Sequence, residues 1–107
     1  MVKFMILFKI PADIEAFETV YNDFLALVER IQNVRRRQVI TITGSPLGTT
    51  DLYRILEVYF DDEAAMTAAL RTQAGQEAGS ELRRFPAKTF ELLFANVYEE
   101  AGGSTPQ

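Results

Sequence analysis

Few side chains in this protein could perform chemistry. Its 107 residues include no His and no Cys, which removes an imidazole base, a thiolate nucleophile, the usual zinc ligands, a disulfide framework and a His- or Cys-ligated haem iron. Acid–base work must then fall to Asp, Glu, Tyr, Lys or Arg. Four such residues stand among apolar neighbours that would tune them: Tyr21 in a helical stretch, and Arg54, Glu57 and Tyr59 in the strand-like run Leu52 to Phe60. A carboxylate at Glu57 on a covered face would be pushed toward its protonated form unless a cation such as Lys3 on an adjacent strand paired with it. Tyr21 either offers its hydroxyl to a ligand, with Phe24 as a wall, or satisfies that hydroxyl inside the core, as buried tyrosines commonly do.

Other clusters are explained without chemistry. Asp61, Asp62 and Glu63 resemble a metal set in composition only; they sit where a helix begins, and capping and the helix dipole account for them. No metal site and no cofactor is expected. The loop Gly44-Ser45-Pro46-Leu47-Gly48-Thr49-Thr50 lacks the Gly-Lys-Ser/Thr ending and the following helix of a phosphate loop. Arg35-Arg36-Arg37 is the single basic cluster, but on a strand Arg36 points away from the other two. A formal net charge of −4 also opposes nucleic-acid binding. No apolar run approaches the ~20 residues that cross a bilayer, and no signal-type cleavage site follows Met1 to Ile10, so a cytoplasmic location is expected.

The elements that position these residues follow from periodicity. Val2, Phe4, Ile6, Phe8 and Ile10 alternate with Lys3, Met5, Leu7 and Lys9, which is strand. Asp13 caps a helix to about Gln32 whose buried stripe is Ile14, Phe17, Tyr21, Phe24, Val28 and Ile31, with Asn33 as the stop. Val34 to Thr43 and Leu52 to Phe60 are strands, the second followed by a short helix capped at Asp61 or Asp62. Thr72 caps a further segment to Arg84, Pro86 closes it, and Thr89 to Tyr98 is the last strand. Residues 1–98 make one domain, and 99–107 form a Gly/Ser/Pro tail expected to be disordered.

The order β-α-β-β-α-β is that of an α+β, ferredoxin-like fold: a four-stranded antiparallel sheet with strands one and three central and helices on one face. Leu56, Val58 and Phe60 are assigned to the helix face. The open face then carries Met5, Leu7, Tyr53, Ile55, Tyr59, Leu93, Ala95 and Val97, a larger apolar patch than soluble monomers leave bare. A second copy packed face to face is the expected cover, with Met5, Leu7, Tyr53, Ile55, Tyr59 and Leu93 in the interface.

Several segments together carry a family resemblance: VKFMILFKIPAD (2–13), AFETVYNDFLALVERIQNVRRRQV (16–39), YRILEVYFDDEAAM (53–66), TQAGQEAGSELRRFPA (72–87) and TFELLFANVY (89–98). Over about residues 2 to 98 the chain resembles the EthD-type branch of the dimeric α/β-barrel superfamily. Where that family often has His-Leu-Pro-Leu-Val in the first helix, this chain has Phe24-Leu25-Ala26-Leu27-Val28, so chemistry assigned to that histidine does not transfer. The resemblance implies a homodimer and two functions. One is an accessory protein binding a small apolar or aromatic ligand through Tyr21 and Phe24. The other is a cofactor-independent monooxygenase or polyketide-type cyclase using Tyr21, Arg54, Glu57 and Tyr59. A cavity of a few hundred Å³ with at least two of these groups converging on it would favour the enzyme, and a solidly packed interior would remove it.

Overall fold

The computed structural model describes residues 1–99. The alternation of its first strand appears directly in burial. In β1 (Val2–Lys9) the side chains of Val2, Phe4, Ile6 and Phe8 are buried, while Lys3, Met5 and Leu7 are half-buried on the other face. There follow α1 (Ile14–Val28), β2 (Arg36–Thr41), β3 (Leu52–Phe60), α2 (Glu63–Arg71), α3 (Gln73–Glu81), a 3-10 turn (Leu82–Arg84) and β4 (Phe90–Asn96). All strands pair antiparallel in the order β2-β3-β1-β4, so the first and third are central and the fold is the ferredoxin-like α+β arrangement. The disorder expected of the tail falls, from residue 100 onward, outside the described residues.

The caps are local and chemical. Asp13 accepts from the Ala16 amide at 3.0 Å, Asp62 from the Ala65 amide at 2.8 Å and Thr72 from the Gly75 amide at 3.1 Å, each satisfying an orphan donor of a first turn. Of the two candidate caps for α2, Asp62 is the one used. Helix α1 ends earlier than its periodicity predicts. After Val28 the amides of Arg30 and Ile31 bond three residues back, to Leu27 and Val28, and Asn33 turns the chain at φ 64, a conformation Asn tolerates. The Arg37 guanidinium reaches back to cap this end, donating to the carbonyls of Glu29 and Ile31.

The core lies between the sheet and the helices: Phe4, Ile6, Phe8, Leu56, Val58 and Phe60 from the strands meet Phe17, Tyr21, Phe24, Val28 and Ile31 from the α1 region, with Met66, Ala69, Ala78 and Phe85. Leu56, Val58 and Phe60 therefore face the helices, as their position before the α2 cap indicates. One member of the expected stripe does not join it. Ile14 is exposed, because α1 first meets the sheet a turn later, where Phe17 packs edge-on against Phe8.

Candidate functional site

The cross-strand register defines the open face. One row runs Arg36, Tyr59, Lys3, Ala95; the next runs Gln38, Glu57, Met5, Leu93; a third runs Ile40, Ile55, Leu7, Glu91. Tyr59 and Glu57 are buried even in a single protomer, at 7% and 8% exposure. Lys3 Nζ lies 3.1 Å from Glu57 Oε1, the pairing that strand alternation allows. The Tyr59 hydroxyl is 2.7 Å from the same carboxylate oxygen and 3.1 Å from the Gln38 side-chain amide. A single hydroxyl proton serves one acceptor, so it goes to Glu57, and Gln38 completes the network by turning its NH₂ toward the tyrosine oxygen. The bond to Glu57, then burial and the carboxylate charge, hold the Tyr59 hydroxyl above its usual pKa. Lys3 and Arg36 lie 5.2 and 5.3 Å from the centre of the Tyr59 ring.

A second polar group lies on the opposite, helix-covered face. Arg54 is the β3 residue beside Phe8, and its fork grips Glu18 of α1 with both terminal nitrogens, at 2.7 and 2.9 Å. The Tyr53 hydroxyl donates to the same carboxylate at 2.8 Å. These bonds hold Glu18 below its usual pKa, chiefly through Arg54, against the opposing effect of burial. The guanidinium also lies over three rings, 4.6 Å from Tyr21, 5.1 Å from Tyr53 and 5.6 Å from Phe17.

Tyr53 is a correction to the expected interface. Simple alternation places it on the open face, yet its ring packs edge-on against Phe17 at 5.3 Å. The cause is an irregularity in the ladder: Phe8 pairs with Arg54 but Lys9 pairs with Leu52, leaving Tyr53 as an extra residue on its strand. Such a bulge shifts the facing of the residues at it. Met5, Leu7, Ile55, Tyr59 and Leu93 remain on the open face. Glu18 and Gln38 were not singled out in the sequence. Glu18 carried a usable signal, since it stands three residues before Tyr21 and so on the same side of α1.

The four candidate catalytic residues thus divide between two faces, Tyr21 and Arg54 under the helices and Glu57 and Tyr59 on the open side. Among the described residues, none of the clefts named below is lined by any of the four. Phe24 lines an apolar interior hollow of about 60 Å³ with Phe4, Val28, Ile31 and Phe94, among others. A larger cleft of about 280 Å³ opens between the first half of α1 and the chain approaching β4, walled by Pro11, Ala16, Phe17, Val20, Phe85 and Pro86. A groove of about 300 Å³ along α2 and β4 has a mixed lining that includes Glu63, Thr67, Phe94 and Asn96. Among the described residues no group of acidic side chains is arranged to hold a metal ion, and no helix is long and apolar enough to cross a membrane.

No protein-family model matches the chain, and no curated protein is similar enough to match it. Solved structures do match. A cofactor-independent oxygenase from Streptomyces nogalater is 18% identical with a TM-score of 0.67, over 95% of this chain and 97% of that one. A dimeric protein of unknown function with a ferredoxin-like fold from Bacteroides fragilis is 20% identical with a TM-score of 0.63, over 90% and 95%. At these identities the likeness is one of fold. An ethyl tert-butyl ether D (EthD) family protein from Bacillus halodurans is far nearer, with 32% identity and a TM-score of 0.84 over 92% of this chain and 99% of that one. With its fold, its two-faced sheet and this degree of identity, the chain belongs to the EthD family.

Proposed function

We propose that the protein is a cytoplasmic homodimer that binds a small apolar or aromatic molecule, acting as an accessory protein of a degradative or biosynthetic pathway rather than as the catalyst. The observation that carries this reading is the division of the acid–base candidates. Glu57 and Tyr59 are tied to Lys3 and Gln38 on one face of the sheet, and Tyr21 and Arg54 lie beyond it on the other. An acid and a base that share one substrate must both come within hydrogen-bond reach of it; here the sheet keeps the four from converging in one protomer, Glu57 and Tyr59 are already bonded to each other, and neither Tyr21 nor Arg54 lines the cleft. The 280 Å³ cleft, walled by Phe17, Val20, Phe85 and two prolines with Lys9, Asp13 and Arg84 also on its lining, falls just short of the ~300–1,000 Å³ typical of small-molecule sites and shares their mainly apolar character. Homodimerisation through the open face is supported by Met5, Leu7, Ile55 and Leu93, which remain partly or largely uncovered.

The test is an amide NMR titration with 2-ethylnaphthalene. Saturable shifts clustered at Phe17, Val20 and Phe85, and lost in an Ala16→Trp variant that fills the cleft, are expected. Shifts confined to β1 and β3 residues of the open face, or no saturable shifts, would refute the cleft as the site.

A further inference from the structure

Of the charged residues in the three rows of the open face, Lys3 and Glu57 neutralise each other at 3.1 Å. Arg36 and Glu91 are exposed and take part in none of the ion pairs among the described residues. These two stand at opposite corners, Arg36 on the edge strand β2 and Glu91 on the edge strand β4. Three strand spacings separate them across the sheet, about 14 Å, and four residues separate their rows along the strands, again about 14 Å. The face is therefore close to square, with the two unpaired charges at the ends of one diagonal and the apolar Ile40 and Ala95 at the ends of the other. The Arg36 guanidinium lies 5.3 Å from the centre of the Tyr59 ring, which keeps its charge over the face and not off the β2 edge.

A twofold axis between two facing sheets lies in the plane of the interface, and its direction decides which corners meet. An axis along the strands sets Arg36 against the partner's Ala95 and Glu91 against the partner's Ile40. An axis across the strands exchanges those neighbours. Either aligned packing presses each charge onto an apolar side chain, and burying an unpaired ion is expensive. An axis along the diagonal from Ile40 to Ala95 crosses the strands of the two sheets near a right angle, one of the two standard sheet packings. It alone lays Arg36 on the partner's Glu91, and symmetry makes that contact twice.

We propose that two copies of this chain pack with their sheets orthogonal, reciprocal Arg36–Glu91 pairs at two corners fixing the orientation. This rests on the homodimer reading and adds to it the arrangement and the residues that select it. The apolar rows supply the buried area, and the corner charges reject the aligned alternatives, since charges across an interface act more on specificity than on affinity.

The experiment is sedimentation equilibrium on Arg36→Glu, on Glu91→Arg and on their equimolar mixture. Each variant alone faces like charges at both corners, and its dimer is expected to have a Kd about tenfold or more above that of wild type. The mixture is expected to recover wild-type affinity, because a heterodimer of the two variants again sets opposite charges together at both corners. Variants that keep wild-type affinity, or a mixture as weak as either variant alone, would overturn the orthogonal arrangement and leave the homodimer standing. A monomeric wild type would remove both. Should either variant fail to fold, single thiols in this Cys-free chain give the second readout. Arg36→Cys mixed with Glu91→Cys is expected to form a covalent heterodimer with a short bismaleimide, and neither alone. Cross-linking of Arg36→Cys to Ala95→Cys or Ile40→Cys in its place, or to none of the three, would overturn the proposal.

Discussion

Replacing Lys3 by Met should destabilise the protein far more than the loss of a surface charge would. Lys3 Nζ stands 3.1 Å from Glu57 Oε1, and the two side chains are only 17% and 11% exposed. Removing one partner of a buried pair leaves the other charge uncompensated, which costs about 3–5 kcal/mol. The remaining access to water and the bond from Tyr59 place the expected cost near the lower end, about 3 kcal/mol. Methionine retains an apolar stem, so little of this would come from lost packing. The companion variant Glu57→Gln keeps an acceptor for the Tyr59 hydroxyl. The double variant Lys3→Met, Glu57→Gln removes both charges and should recover most of the loss, finishing within about 1 kcal/mol of wild type. The assay is urea unfolding followed by circular dichroism, with linear extrapolation and a fixed protein concentration, since an associating protein gains stability by mass action. A Lys3→Met cost below about 0.5 kcal/mol, or strictly additive variants, would show that the pair behaves as a solvated surface contact and not as a buried one.

Two further outcomes follow from other sites. Glu18 titrates below its ordinary value of 4.5 in the folded protein, so its contribution is fully present above that value and is lost as pH falls through the lowered folded value. The difference in urea midpoint between wild type and Glu18→Gln should therefore be largest at pH 7 and shrink toward pH 3; a difference independent of pH would contradict the Arg54 pairing. Gly75→Ala should cost about 3 kcal/mol or more, because a Cβ there would lie 2.5 Å from the Ala69 carbonyl oxygen and 2.7 Å from Leu70 Cα, both rigid backbone at the junction of α2 and α3. A variant as stable as wild type by thermal unfolding would show that this junction opens freely.

The fold was legible because it is written in short-range periods. Alternation from Val2 to Lys9 assigned both faces of β1, and Asp13, Asp62 and Thr72 marked helix starts by the ordinary chemistry of capping. The same alternation separated the arginine triplet: Arg35 meets Asp61, Arg36 lies over Tyr59 and Arg37 caps the end of α1. The site was less legible because its contacts are long-range. Glu18 and Arg54 are 36 positions apart, and no local pattern announces that a helix carboxylate will meet a strand guanidinium. Tyr53 was misplaced by a single extra residue opposite Lys9, since one step of register moves a side chain to the other face. Ile14 was misplaced because periodicity shows which side of a helix is apolar and not where along its length the sheet begins.

These observations bear on the function together. The open face joins a buried ionic network to uncovered Leu93 and half-buried Met5, Leu7 and Ile55. The helix face keeps its polar groups behind Phe17, beside an apolar cleft. On the proposed function the sheet separates the surface for association from the surface for the ligand, and each can be altered without the other.

Sedimentation equilibrium at micromolar concentration tests the claim that the open face is covered by a second copy. A covered face gives a single species of twice the mass of the 107-residue chain, reduced to protomer mass by a charge placed in the face, Leu93→Arg. A wild-type protein that sediments as a lone protomer, or a Leu93→Arg variant that remains a dimer of unchanged affinity, would contradict it.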